Sequence, residues 1–365
     1  MGSAGNIHAL VMYQGMLHAG GDFRVIGGVA ANNVARWDGS AWQPLESAGG
    51  NGVDGPVHAL VVWDDRLFVG GRFDRAGSRI RADNLAAWDG QAWGTVGRGA
   101  GQGLNDSVYA LVAGESGLYA GGLFTLANVG ESLPAGRVAH WDGQSWQALG
   151  SDEGNGMDTA VYALALAGDS LYAGGTFRQV NHGGAVVRAN RVARWHEGRW
   201  SALGSGSGNG MDSAVYALAL HDGELYAGGM FWQANAGDPV TARYIARWDG
   251  SRWQSVGSGV DNPVLALAAG SGELFAAGFF GRANMASVIR VNHVARWNGR
   301  TWSGLGSGTD RPVRAVLPDR GAVYVAGSFS LAGGRPSERI ARFDAGEPAP
   351  ADQSSASSSP AVSAR

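Results

Sequence analysis

The chain has no cysteine and no lysine: all 28 of its basic residues are arginine, among 365 residues. Without a thiol there is no disulfide, no thiolate zinc site, no iron–sulfur cluster and no cysteine nucleophile. Without lysine there is no P-loop or kinase lysine and no Schiff base to a pyridoxal cofactor. The missing lysine reads first as the compositional bias of a GC-rich genome, and the chemical exclusion stands either way. Charge of one sign is also scarce. Against 31 acidic groups the formal balance is −3 with signs interspersed, which gives no basic field for nucleic acid. No apolar run approaches the roughly 20 residues of a helical membrane span, and MGSAGNIHAL lacks the basic start and apolar stretch of a secretory signal.

Glycine and tryptophan are abundant instead, at 61 and 14 residues, and they recur in order. Three landmarks repeat seven times, with a period of 49 to 54 residues. V-x-A-L opens at Ile7, Val57, Val108, Val161, Val215, Val264 and Val313. LYAGGxF ends at Phe23, Phe73, Phe124, Phe177, Phe231, Phe280 and Phe329. VARWDG carries its aromatic at Trp37, Trp88, Trp141, Trp195, Trp248, Trp297 and Phe343. A fourth landmark, WxxLG, follows six times, at Trp42, Trp93, Trp146, Trp200, Trp253 and Trp302.

Each landmark is a short β-branched or aromatic run bounded by Gly, Asn or Asp, the pattern of strands joined by turns. Four strands per unit, a to d, make an antiparallel sheet. Asp-Gly between c and d predicts a type I′ hairpin, and His196-Glu197-Gly198 in the fourth unit predicts a three-residue bulged turn instead. Four residues after each Phe of the second landmark stands Gly27, Gly77, Asn128, Asn181, Asn235, Asn284 or Gly333, which predicts left-handed backbone there. Sheets apolar on both faces must be covered on both sides, and seven of them around an axis cover one another. The expected fold is therefore all-β, a seven-bladed β-propeller of four-stranded antiparallel blades, with the last blade lacking its outer strand. The Trp pairs spaced by five account for all tryptophans but Trp63 and Trp232, and are expected to pack between blades.

The segments LYAGGTF, VARWHEGRW and LGSG, at Leu171 to Gly206, resemble the kelch and galactose-oxidase-type propeller repeat. The likeness is nearest to secreted bacterial WDGxxW/GGxF repeat proteins and to the fungal cortical polarity-marker family, and it spans residues 7 to about 344. It implies the propeller fold. Galactose oxidase activity needs a tyrosine–cysteine cross-link, which a chain without cysteine cannot form.

The a–b and c–d links are uniform in length, whereas the b–c and d–a links vary, so recognition is expected on the b–c/d–a face around the channel mouth. Just before strand a on that face stand Asp54, Asn105, Asp158, Asp212, Asp261 and Asp310. They suit either a cation or hydroxyl-rich ligand, or an Asx turn capping the strand. GNGMD at Gly154 to Asp158 and again at Gly208 to Asp212 resembles the start of a calcium nonapeptide, but it occurs once per blade rather than in tandem, which favours the cap. His182, Trp232 and His293 complete the candidate ligand-binding set. Arg36, Arg194, Arg247, Arg296 and Arg342 recur in strand c, where a half-buried guanidinium calls for a structural partner. The second residue of strand a (His8, His58, Tyr109, Tyr162, Tyr216, Leu265, Arg314) suits either a lining of the channel or, more often for aromatics in an inner strand, core. No zinc-type histidine spacing, nucleophile elbow or dinucleotide fingerprint is present, so no catalytic residue is assigned.

Residues 1–346 are expected to form one propeller, with blades opening near 7, 57, 108, 161, 215, 264 and 313, and the Ser/Ala/Pro-rich segment 347–365 a disordered tail. The missing fourth strand is expected upstream of Met1, with an export signal. The leading functional expectation is a monomeric, non-enzymatic binding or scaffold propeller without a cofactor, recognising a protein or glycan, extracellular or at the cell envelope. The alternatives are a carbohydrate-active lyase or hydrolase with Asp and His at the channel mouth, and a cytoplasmic location.

Overall fold

The computed structural model describes residues 5–97, 102–151, 154–181, 185–204, 209–235 and 238–344. The 347–365 tail and His182 lie outside the described residues. Strand a is Ile7–Tyr13, Val57–Trp63, Val108–Gly114, Val161–Ala167, Val215–His221, Val264–Gly270 and Val313–Asp319 in successive blades. Strand b is Met16–Gly21, Arg66–Gly71, Gly117–Gly122, Ser170–Gly175, Glu224–Gly229, Glu273–Gly278 and Ala322–Gly327. Strand c is Val34–Trp37, Leu85–Trp88, Val138–Trp141, Val192–His196, Ile245–Trp248, Val294–Trp297 and Ile340–Asp344. Strand d is Trp42–Pro44, Trp93–Thr95, Trp146–Ala148, Arg199–Ala202, Trp253–Ser255 and Trp302–Gly304.

Six sheets run a-b-c-d and the seventh a-b-c, all antiparallel, which is the β-propeller expected. The last blade pairs Val323 with Phe343 and Val325 with Ala341, and the outer side of its strand c pairs with no described residue. The ring closes by packing: Ile7 and Phe23 of the first blade share a core cluster with Ala315 and Ala326 of the seventh. No described residue is helical, and no helix is long and apolar enough to cross a membrane.

Two features dock each blade on the one before it. The first glycine of Gly-Gly in strand b leaves a bare Cα against the Val that opens the next strand a. A Cβ on Gly70 would come within 2.7 Å of Val108 Cγ1, and one on Gly228 within 2.5 Å of Val264 Cγ1. At the outer rim, the indole N–H of the strand d Trp donates to a backbone carbonyl of the preceding blade: Trp93 to Leu45 (3.2 Å), Trp146 to Val96 (3.3 Å), Trp200 to Leu149 (2.9 Å), Trp253 to Leu203 (3.3 Å) and Trp302 to Val256 (3.1 Å). The Trp pairs are tilted together at 5.2–5.6 Å between ring centroids. This repeat satisfies the buried indole donor on a carbonyl that also accepts a backbone amide, as Leu203 O accepts Gly210 N at 3.2 Å.

The expected left-handed stations hold at all seven positions, from φ 48 at Asn128 to φ 57 at Gly333. The c–d links differ from expectation. Asp38 is not left-handed; its Oδ1 accepts the amides of Ser40 and Ala41, closing a four-residue loop, and Asp89, Asp142, Asp249 and Asn298 repeat this. Those amides hold the Asp38 and Asp142 carboxyls near pH 2. The fourth blade, expected to bulge, instead makes the two-residue hairpin, with Glu197 at φ 48 and Gly198 at φ 74 between the pair His196 and Arg199. An Asx turn and a type I′ turn both accept Asp-Gly, and the side-chain acceptor decides between them.

Replacing Trp253, fully buried, with Ala is expected to cost about 3–5 kcal/mol. Trp253→Phe, which keeps an aromatic ring and loses the indole N–H while the Leu203 carbonyl retains the Gly210 amide, is expected to cost about 0.5–1.5 kcal/mol. Urea unfolding of the two variants checks both values, and a Phe variant as stable as the native chain would show that the indole hydrogen bond contributes nothing.

Candidate functional site

In all seven blades the pairing of strands a and b slips by one residue at its start. Ile7 pairs with Gly21 and Ala9 with Gly20, so His8 has no partner. The same slip leaves His58, Tyr109, Tyr162, Tyr216, Leu265 and Arg314 as extra residues. Such a β-bulge redirects a side chain out of the sheet's alternation. Strand a is innermost, and the seven side chains are half-exposed at the start of that strand, lining the central opening. Of the two readings open for this position the core one is therefore corrected and the channel-lining one holds: the bulge turns the second residue toward the axis. The second glycine of Gly-Gly permits the slip, since a Cβ on Gly21 would lie 2.0 Å from the Asn6 carbonyl oxygen.

The aromatic members touch in sequence around the ring. Ring centroids are 5.6 Å apart from His8 to His58, 5.2 Å from His58 to Tyr109, 5.2 Å from Tyr109 to Tyr162 and 5.6 Å from Tyr162 to Tyr216. Just outside this arc lies a collar formed by the residue that follows Gly-Gly: Asp22, Arg72, Leu123, Thr176, Met230, Phe279 and Ser328. Each collar amide donates to the carbonyl preceding strand a, as Met230 N does to Ala214 O at 2.9 Å, which sets collar beside ring. His8 Nε2 lies 3.9 Å from Asp22 Oδ2, Tyr216 Oη donates to Met230 Sδ at 3.7 Å, and Arg314 Nε donates to Ser328 Oγ at 3.3 Å.

The mouth is thus two-sided. Blades seven, one and two contribute Arg314, Ser328, His8, Asp22, His58 and Arg72. Blades three to six contribute three tyrosines, Leu123, Met230, Leu265 and Phe279, with Thr176 among them. Burial pushes the His58 imidazole down to about 4, with neighbouring His8 adding to the effect. Burial also lowers His8, against the pull of Asp22 and with that of Arg314. Both rings are neutral at pH 7. Burial raises the Tyr162 phenol, and its neighbours Tyr109 and Tyr216 push the same way.

The acidic collar before strand a acts as a set of loop clamps. Asp54 Oδ1 accepts the amides of Asp74 and Arg75, both at 2.9 Å, while its own amide donates to Arg75 O. Asn105 holds Thr125 and Leu126, Asp158 holds Arg178 and Gln179, Asp261 holds Gly281 and Arg282, and Asp310 holds Ser330 and Leu331. Asp212 holds Trp232 at 2.9 Å. Each clamp ties the d–a connection to the b–c connection of the same blade. Asn105 does this without a charge, so the clamp needs one oxygen and not a carboxylate. Among the described residues no three His, Cys, Asp or Glu side chains lie together as a metal site.

The structure brings some candidate residues together and not others. Trp232 stands on the fifth b–c connection with the Arg243 guanidinium 4.9 Å from its ring centroid and Tyr244 edge-on at 5.9 Å. His293, left-handed at φ 74, lies at the base of the sixth b–c connection, where burial lowers its pKa while Asp261 and Asp310 oppose the shift. The strand c arginines lie away from this face, against Gln43, Ser170, Glu224, Glu273 and Asp344. The sequence offered the ring as channel lining without assigning it to the site, on the break from aromatic to Leu265 and Arg314 at one repeat position, and did not single out the residues after Gly-Gly.

No protein-family profile matches the chain, and no curated protein does. Among solved structures, a computationally designed protein, Ika8, is similar with a TM-score of 0.53 at 17% identity, covering 95% of this chain and 89% of its own. The extracellular domain of the hybrid two-component system BT4673 from B. thetaiotaomicron is similar with a TM-score of 0.57 at 12% identity, over 89% of this chain. This chain spans 37% of that one. Likenesses at these identities concern the fold alone.

Two outcomes follow. Asp261→Asn is expected to leave stability unchanged, whereas Asp261→Ala, which frees two amides, is expected to cost about 1–3 kcal/mol; thermal melts of the pair decide it. Stability is also expected to fall with acid. A histidine whose folded pKa lies below its unfolded value of about 6.5 stabilises fully above 6.5 and loses that contribution as pH drops toward the folded pKa. Buried His18, at about 4, makes this worth about 2 kcal/mol at pH 5, and half-exposed His58 contributes less. The drop in melting temperature from pH 7 to pH 5 should shrink in His58→Asn.

Proposed function

We propose that the protein is a non-enzymatic binding propeller that captures a protein partner on its b–c/d–a face. One observation carries the reading. The large apolar side chains exposed among the described residues are Leu123, Val186, Met230, Trp232, Phe279, Val288 and Leu331, and every one lies on a b–c connection. Met230 is 54% exposed, and Trp232 and Phe279 are 44% exposed. The a–b and c–d turns carry none. Exposed apolar groups gathered on one face mark an interaction surface, and Trp, Phe and Met are the residues that anchor protein interfaces.

A glycan remains the second ligand class for this face, with tyrosine and neutral imidazole at its centre. The enzymatic alternative draws less support, because the Oδ1 atoms of the acidic collar are engaged by backbone amides. The kelch-type signature and its likeness to secreted bacterial repeat proteins support a binding role outside the cytoplasm, at the envelope or beyond it; fractionation of the host tests that location.

The test is cross-linking capture from host fractions with three proteins: the native chain, Trp232→Ser/Phe279→Ser, and Asp222→Ser on the opposite face. The expected result is a protein retained by the native chain and by Asp222→Ser, with retention falling at least about tenfold in the double variant. Equal retention by all three would overturn the reading. Polysaccharide turnover abolished by Asp261→Asn, in a variant that melts like the native chain, would replace it with the enzyme.

A further inference from the structure

The polar side of the channel mouth holds a cation that the fold does not neutralise. Arg314 is half-buried, its Nε donates to Ser328 Oγ at 3.3 Å, and no carboxylate among the described residues lies within ion-pair distance of it. Arg247 faces Glu224 at 2.9 Å and Arg296 faces Glu273 at 3.6 Å, whereas Arg36 and Arg194 meet the neutral groups of Gln43 and Ser170 as Arg314 meets Ser328; Arg314 differs from these in standing at the channel mouth. The neighbouring imidazole, His8, is neutral at pH 7, and Asp22 sits beside that imidazole rather than beside the guanidinium. A partly desolvated guanidinium with free N–H groups is a receptor for a planar anion.

Its surroundings narrow the anion. The station on one side of Arg314 is Leu265, and the collar residue beside Leu265 is exposed Phe279. Where measured along the aromatic arc, neighbouring stations lie 5.2–5.6 Å apart. A group bound at Arg314 therefore has an apolar wall one station away, facing a body that must itself be apolar. Across the opening, the hydroxyls of Tyr109 and Tyr162 have no hydrogen-bond partner among the described residues. We propose that the channel mouth receives the C-terminus of a partner polypeptide. The α-carboxylate pairs with Arg314, the last side chain, apolar or aromatic, packs on Leu265 and Phe279, and the adjoining peptide group reaches the tyrosine hydroxyls. A chain terminus is the group in which a carboxylate and an apolar side chain diverge from one carbon, which matches that spacing. A uronate sugar supplies the same carboxylate, but its ring hydroxyls would face Leu265 and Phe279, which offer them no hydrogen bond.

This inference rests on the protein-binding reading of the face and is tested separately from it. The probes are N-acetylphenylalanine, N-acetylphenylalanine amide and glucuronate at millimolar concentration, read by the melting temperature of the full chain and by titration calorimetry. The expected result is a rise in melting temperature with N-acetylphenylalanine alone, weakened by added salt. Arg314→Gln should weaken that binding at least about tenfold, and Leu265→Asn should weaken it too, both variants otherwise melting close to the native chain. If Arg314→Gln melts early, Arg314→Lys serves in its place: it keeps the charge, loses the planar fork and should bind the probe more weakly. Equal stabilisation by the amide, preference for glucuronate, or undiminished binding in the Arg314 variants would each overturn the proposal. If no probe binds while Trp232→Ser/Phe279→Ser still loses its partner, the terminal-carboxylate site falls and the binding face stands. If the probe binds but that double variant retains the captured protein, the face reading falls instead.

Discussion

The close approach of strand a to strand b at the glycine pair is the contact on which the rest of the molecule depends. One glycine lets the next blade's valine sit on a bare Cα, and the other lets the strand's own backbone carbonyl come within 2.0–2.3 Å of where a Cβ would stand. The first contact sets the distance between blades. The second allows the one-residue slip that leaves an unpaired residue at the start of each inner strand. Blade docking and the composition of the channel mouth are therefore set by the same two residues. In the sixth and seventh blades the first glycine is Ala277 or Ala326, and the second remains Gly278 or Gly327. The position facing the neighbouring blade tolerates a methyl group, while the position facing the bulge does not.

A bulge costs ladder hydrogen bonds and local twist, so a bulge kept in seven blades implies a use common to all of them. Its geometric consequence is a ring of seven side chains that neither pack in a sheet interface nor project freely into solvent. Because the scaffold is quasi-symmetric, differences between stations stand out as departures from a template. The template is aromatic at five stations, and its two exceptions, Leu265 and Arg314, are adjacent in the ring. The collar shows the same polarity, with Met230 and Phe279 on one side and Asp22 and Arg72 on the other.

Much of this architecture was legible in the sequence because it repeats. Seven copies of a hydrophobic alternation with glycine at one place define blades, their number and, among the described residues, the three strands of the last. The left-handed stations were equally legible, since Gly and Asn alternate there and share little beyond tolerance of that backbone. Reading failed where two local structures accept the same letters. Asp-Gly fits a type I′ turn or an Asx-closed loop, and the choice rests on whether the Asp38 oxygen reaches two amides, a distance no single residue type reports. The bulge was hidden for a related reason: V-x-A-L alternates like a regular strand, and only the partner strand's register reveals that His8 has no opposite.

The acidic collar shows how a repeated polar residue can suggest chemistry while its main work is mechanical. Its six members come one to a blade in blades two to seven, at one offset from strand a, as ligands of a ring-bound ion would. They also come twenty residues before the amides they hold, as loop clamps must. Asn105 separates these meanings, because an amide oxygen replaces a carboxylate oxygen in accepting two N–H groups but brings no charge. Charge is dispensable where the side chain holds a loop. At Arg314 the argument runs the other way: the fold makes one contact to the side chain and leaves its charge unmatched. A half-buried charge left uncompensated in the free protein is destabilising unless something outside the chain meets it. The interactions that the fold satisfies internally thus explain its shape, and an unmatched charge that stands at the channel mouth is the group on which the proposed partner terminus acts.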